Sequence, residues 1–186
     1  MPPRVFTIGH SNHAIELFLA LLTQHRIDVV VDVRSAPYSR YVPHFNKPNL
    51  EAALAGTPAK YLYLGRELGG RPEGEEFYDA EGHARYGMVA KTPLFLQGIE
   101  RVERGIERYR VALMCAEEDP ATCHRSLLVG RVLRERGVTV LHLRSDGRVE
   151  EDTGPEPSSD NQGLLFPDAA PADTWRSYGP ILRRNP

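Results

Sequence analysis

Five short apolar runs alternate with stretches of helical spacing, and few architectures accommodate that alternation. The runs are Val5-Phe6-Thr7-Ile8, Val29-Val30-Val31-Asp32-Val33, Tyr61-Leu62-Tyr63-Leu64, Arg110-Val111-Ala112-Leu113-Met114-Cys115 and Val138-Thr139-Val140-Leu141-His142-Leu143. The second is almost continuously β-branched, as in strands covered on both faces of a sheet. After the first, Ile15, Phe18, Leu19 and Leu22 keep helical spacing, with Asn12 placed as the N-cap. A short helix is expected over 49–55. Thr92-Pro93 supplies a cap and a proline at the first helical position, and Phe95, Ile99, Val102 and Ile106 hold the period. Asp119-Pro120 opens a helix that carries Leu127, Leu128, Val132 and Leu133 and stops at Gly137. Such strand–helix units predict an α/β fold: a Rossmann-like three-layer domain with a mostly parallel, five-stranded sheet.

A chain of 186 residues, 41% hydrophobic and 26% charged, suits a single globular domain, expected over residues 1–146. From the Asp146-Gly147 turn onward Pro, Asp, Glu, Ser and Gly dominate. Residues 147–186 are therefore expected to form an extended or partly disordered tail, with Trp175 and Tyr178 docking back on the body. No apolar run approaches the ~20 residues of a membrane span. The N-terminal Met1-Pro2-Pro3-Arg4-Val5 has no signal-peptide core, so a cytoplasmic location is expected, with Cys115 and Cys123 reduced. Net charge is −2, which gives no support to a generally basic nucleic-acid binder. The charge is uneven, however. Arg34, Arg40, Lys47, Lys60, Arg66 and Arg71 face only Glu51 and Glu67 in residues 34–71. That segment is either a solvated basic loop or an anion-binding rim.

Parallel α/β sheets bind ligands beyond the carboxyl ends of their strands. The first run leads into Gly9-His10-Ser11, where a glycine admits close backbone approach and the next helix favours an anion, or where the turn is merely tight. The second ends in Asp32 and Arg34, which share a strand face. They form a structural ion pair, or Asp32 orients a base or substrate hydroxyl while Arg34 meets an anion. The third leads to Gly69-Gly70-Arg71, flanked by Tyr61, Tyr63, Phe77, Tyr78 and Tyr86, which either stack bases or pack the loop. The fourth leads to Cys115, Glu117 and then Cys123-His124-Arg125. The cysteines are core thiols, or Cys123 near a helix start is an activated thiol. His124 and Arg125 suit an anion, and Glu117 suits a nucleophile or general base beside Asp32. A metal site could draw on Cys115, Cys123, His124 and His10. Seven residues between the cysteines match no common zinc spacing, so neither a metal nor a cofactor is expected.

Thr7-Ile-Gly-His-Ser-Asn12, Asp32-Val-Arg34 with Ser35-Ala-Pro37, Leu64-Gly65 followed by Leu68-Gly-Gly70, and Met114-Cys-Ala-Glu117 leading to Cys123-His-Arg125 together resemble the domain-of-unknown-function family 488. The likeness spans about residues 5–145. It implies a compact Rossmann-like α/β domain of bacterial or archaeal type, and it assigns no reaction.

Three functional expectations follow from the residues. The first is an enzyme, a hydrolase or N-glycosidase-type catalyst, acting on a phosphate-bearing nucleotide or nucleic acid. Arg34, Arg40, Arg71 and Arg125 would hold the anion, aided by Ser11, Gly69, Gly70, Cys115, Cys123 and His124, while Glu117, Asp32 and His10 would do the chemistry. The second is a non-catalytic nucleotide or nucleic-acid binding module, which needs neither Glu117 nor His10. The third is an interaction protein. Gln162-Gly-Leu-Leu-Phe166 partly resembles the peptide by which bacterial proteins dock on the DNA sliding clamp, although Gly163 departs from that pattern.

Overall fold

A computed structural model describes residues 2–154 and 175–181. Its centre is a six-stranded sheet built from β1 (Arg4–Gly9), β2 (Val29–Asp32), β3 (Lys60–Tyr63), β4 (Val111–Cys115), β5 (Thr139–Leu143) and β6 (Val149–Glu151). The order is β3-β2-β4-β1-β5-β6, and only β6 runs antiparallel to its neighbour. The five strands expected from sequence are thus joined by a sixth. Arg144 accepts a turn bond from Gly147, whose φ of +82° only glycine adopts freely, and the chain folds back on β5. A three-residue strand, exposed throughout, has too little pattern to be read from sequence. The order also differs from the 3-2-1-4-5 of the doubly wound dinucleotide folds, because β4 lies between β2 and β1.

Side chains alternate across the sheet, as its pleat requires. Along β4, Val111, Leu113 and Cys115 enter one core while Ala112 and Met114 enter the other. Helices α1 (Ile15–Gln24) and α2 (Lys47–Ala55) cover the second face with Phe18, Leu21, Leu22, Leu50 and Leu54. The first face is covered by α4 (Tyr86–Val89), α5 (Pro93–Ile106) and α6 (Arg131–Glu135), after the short α3 (Gly65–Leu68). Thr92 caps α5 as expected, accepting from Phe95 N–H, with Pro93 at the first helical position.

Two local expectations change. Helix α1 begins at Ile15 with Ala14 at its N-cap, not Asn12, and no side chain caps it. Asp119-Pro120 opens only a 3-10 turn, Pro120–Thr122, with Asp119 accepting from Ala121 N–H. The chain is then extended at Cys123 and winds a π-helix, Arg125–Gly130, before α6. A π-helical turn of this kind re-aims side chains and often marks a functional site.

Beyond the expected body, β6 pairs with β5, and Trp175 and Ile181 pack on the first core. Trp175 Nε1–H donates to Leu127 O at 2.7 Å, while Tyr178 stays 72% exposed. The Gln162–Phe166 peptide lies outside the described residues. Among the described residues no helix is long and apolar enough to cross a membrane.

Candidate functional site

The strands β1 to β5 share one direction, so their carboxyl ends share one edge. There β1 and β4 are neighbours, yet β1 leads to α1 on one face and β4 leads to the π-helix on the other. Adjacent strands departing to opposite faces leave a crevice between their ends. His10 N–H donates to Cys115 O at 2.9 Å and Ser11 N–H to Ala116 O at 2.8 Å, carrying the β1–β4 ladder beyond both strands. The approach is so close that a Cβ on Gly9 would sit 2.0 Å from Glu117 O. Ser11 turns away with φ of +46°, a left-handed conformation uncommon outside glycine.

Two groups of side chains occupy the crevice. In the first, Asp32 accepts from Arg34 Nε at 2.9 Å, Arg34 NH2 at 2.7 Å, Arg34 N–H at 3.0 Å and Tyr61 OH at 2.7 Å. Arg34 also donates to Phe45 O and to His10 Nε2. Because Nε2 of His10 accepts, its proton sits on Nδ1, which donates to Ser11 O at 2.8 Å. Burial, reinforced by the Arg34 charge, pulls His10 down to about 4, so the ring is neutral at pH 7. It stacks on Phe45 at 4.3 Å. Asp32, Arg34 and His10 are all buried with their polar atoms engaged by one another.

The second group belongs to the loop after β4. Cys115 Sγ donates to Glu117 Oε2 at 2.9 Å and Cys123 Sγ approaches the same oxygen at 3.1 Å. His124 Nδ1 lies 3.6 Å from Cys115 Sγ and 4.0 Å from Cys123 Sγ, and its Nε2–H donates to Val33 O at 2.9 Å. Burial raises the Glu117 carboxyl, but the bonds from both thiols and its own backbone, with the His124 charge, outweigh that and hold it at about 2. Burial also raises Cys123. Hydrogen bonds from Cys115 and His124, with the charges of His124 and Arg125, more than reverse this, and Cys123 falls below the usual thiol range. Burial lowers His124, whereas its hydrogen bond and attraction to Cys123 raise it on balance. Cys115, bonded to Cys123 and buried, is pushed well above that range. Cys123 and His124 thus shift in opposite directions, each toward the charge that the other attracts. Glu117 is the member of the group that is exposed to solvent.

Arg125 is only 1% exposed, and its guanidinium points inward. It donates to Glu117 O, to Glu118 O at 2.7 Å and to Thr7 Oγ1 at 3.3 Å, which fixes the loop presenting Glu117. Thr7 Oγ1 continues to His142 Nδ1 at 2.8 Å, and His142 Nε2 to Asp152 at 3.2 Å. Gly70 touches His124, where a Cβ would meet ring Cγ at 2.6 Å. Its neighbour Gly69 lines a cleft of ≈ 550 Å³ with Ser35, Tyr63, Arg66, Arg71 and Phe77. Arg71 and Arg40 are exposed, and Arg40 leans on Tyr41.

The crevice therefore gathers Cys115, Glu117, Cys123 and His124 in one cluster and His10, Asp32 and Arg34 in a second. Arg40 and Arg71 remain outside both. The hydroxyl of Tyr61 and the ring of Phe45 were not foreseen as partners. Tyr61 pairs in register with Val30, two residues from Asp32, so strand register holds the signal for that bond.

Residues 14–132 match the family model described as Domain of unknown function DUF488. No curated protein and no solved structure matches the chain.

Proposed function

We propose that this chain, which belongs to the DUF488 family, is an enzyme acting on a phosphate-bearing substrate, a nucleotide or a stretch of nucleic acid, with Glu117 as its catalytic carboxylate. One observation carries the reading: of Glu117, Asp32 and His10, Glu117 is the exposed one, while Asp32 and His10 are buried and saturated with hydrogen bonds. A Rossmann-like role of the strand ends fits this placement. An ionised carboxylate suits a general base or nucleophile, not a general acid. The substrate class rests on the cleft beside Gly69, where Arg66 and Arg71 offer charge and Tyr63 and Phe77 offer ring faces. Arg34 and Arg125 act at one remove, by holding Asp32 and the Glu117 loop.

The test is a panel of nucleotides, nucleosides and short single-stranded DNA, read for both binding and turnover with native protein and Glu117→Gln. The enzyme reading expects a ligand bound by both forms and converted only by the native one. A ligand bound equally and converted by neither would leave a binding module instead.

A further inference from the structure

Cys115 Sγ, the Glu117 carboxylate, Cys123 Sγ and a ring nitrogen of His124 all lie within 4.8 Å of one another. In a tetrahedral zinc site, with Zn–S near 2.3 Å and Zn–N near 2.0–2.1 Å, sulfur and nitrogen stand about 3.5 Å apart. The 3.6 and 4.0 Å separations of His124 Nδ1 from the two sulfurs are close to that edge length. The 3-10 turn at Pro120–Thr122 explains why residue counting along the chain gave no zinc signature. It folds seven intervening residues into a loop that returns Cys123 to Cys115.

The surroundings are those of a ligand set. Metal-binding histidines direct their second nitrogen to a carbonyl or carboxylate, which sets the tautomer and aims the ring. His124 does this through Nε2–H and Val33 O at 2.9 Å, leaving Nδ1 turned to the sulfurs. The backbone N–H of Arg125 points at Cys123 Sγ from 3.5 Å, a contact that steadies a thiolate. Gly70 closes one side of the His124 ring. Cys115 and Cys123 are 3% and 1% exposed, whereas Glu117 is exposed, so a dry floor of two sulfurs opens through Glu117 to water.

We infer that Cys115, Cys123 and His124 bind a zinc-class divalent ion, with its fourth position open toward Glu117. Two cysteines and one histidine, with a glutamate that is not a ligand, also form the zinc site of hydrolytic nucleobase deaminases. The role of Glu117 rests on the enzyme reading above; the metal site does not. In that role the ion would supply an acidified water, and Glu117 would take its proton; as the water oxygen bonds to the electrophilic atom of the substrate, the bond from that atom to the leaving group would break and Glu117 would return the proton to that group.

The experiment uses the full chain, reduced, freed of metal by a chelator and titrated with cobalt(II) alone. The expected result is saturation at one ion per chain, with a sulfur-to-cobalt charge-transfer band and the intense visible bands of tetrahedral cobalt. Zinc should displace the cobalt. Cys115→Ser and Cys123→Ser should each lose charge-transfer intensity, and Glu117→Gln should keep the ion. No charge-transfer band in the native chain would overturn the site. So would a band that survives the double cysteine replacement, while loss of cobalt in Glu117→Gln would overturn the open fourth position. A native mass spectrum of the unsubstituted chain with zinc needs no variant, and absence of a one-zinc adduct would count equally against the site. Cobalt binding without turnover of any nucleotide would sink the enzyme reading and leave the metal site standing. Turnover in a chain that takes no cobalt would do the reverse.

Discussion

Replacing Arg125 with methionine separates a structural cation from one reserved for a substrate. The guanidinium is 1% exposed and donates to two main-chain carbonyls, Glu117 O and Glu118 O, and to Thr7 Oγ1. Methionine keeps much of the volume and apolar contact but offers no donor. A hydrogen bond from a charged donor contributes about 1.5–3 kcal/mol, and each carbonyl left unsatisfied costs about as much as its lost desolvation. Discounting the 3.3 Å contact to Thr7 as weak, Arg125→Met should destabilise the fold by about 3–5 kcal/mol. In a domain of this size that is a fall of on the order of 10 °C in Tm. Urea unfolding of native and variant protein reads the difference as a shift in midpoint at constant slope. A cation held ready for a ligand behaves differently, since removing it commonly leaves stability unchanged or raised. A loss below about 1 kcal/mol would therefore refute the structural account and return Arg125 to the anion-binding reading.

Other perturbations test separate parts of the molecule. Gly70→Ala brings a Cβ to 2.6 Å from His124 Cγ, so the ring must retreat by about 0.8 Å to reach ordinary contact. It should destabilise by about 1–3 kcal/mol and weaken cobalt binding, and unchanged cobalt affinity would show that the ring can yield without leaving its place. Tyr61→Phe removes the 2.7 Å bond to buried Asp32 and should lower stability by about 1–2 kcal/mol in urea unfolding; no loss would mean Arg34 alone satisfies the carboxylate. Asp152 is raised by burial but held at about 2 by hydrogen bonds from His142, Ser126 and Gly154 N–H and by the Arg134 charge. Its folded value lies below its unfolded value, so its contribution is complete above about pH 4 and is lost as pH falls toward 2. Asp152→Asn should flatten the stability profile across that window, and a profile parallel to the native one would contradict the assignment. Trp175→Ala removes the bond to Leu127 O and the contact with Arg131, and a drop of about 2 kcal/mol in urea unfolding is expected.

The elements read best from sequence were those with strong pattern or explicit punctuation. All five parallel strands lie within a residue or two of their apolar runs, because an alternation buried on both faces leaves little choice of register. Thr92-Pro93 marked α5 correctly, since cap and proline act locally. Asn12 misled because the left-handed Ser11 carries the chain past it before α1 starts, and the sequence does not announce a positive φ on serine. Between β3 and α5 the helices α3 and α4 have four residues each, too short to show a helical period in sequence. The edge on which Glu117, Cys115 and Cys123 would lie followed from strand polarity alone. The Asp32–Arg34 ion pair was one of two readings that their shared strand face allowed, and the structure forms it; the direction of Arg125 was not legible. Arg125 lies in a polar cluster, and only the fold turns it onto the carbonyls of its own loop.

The position of β1 has a consequence for how the chain acquires its shape. Strands β2 and β3 are close in sequence and can pair early, but β1 pairs only with β4 and β5. Its first partner residue lies roughly a hundred residues downstream, so the pairing closes a long loop and belongs to the slow part of folding. During synthesis the apolar Val5-Phe6-Thr7-Ile8 segment emerges first and waits longest for a neighbour. Until β4 leaves the ribosome it is an unpaired edge, prone to associate with other chains. The crevice that opens between β1 and β4 is accordingly among the last features to form, so a folding defect almost anywhere upstream of residue 115 would be felt in its geometry.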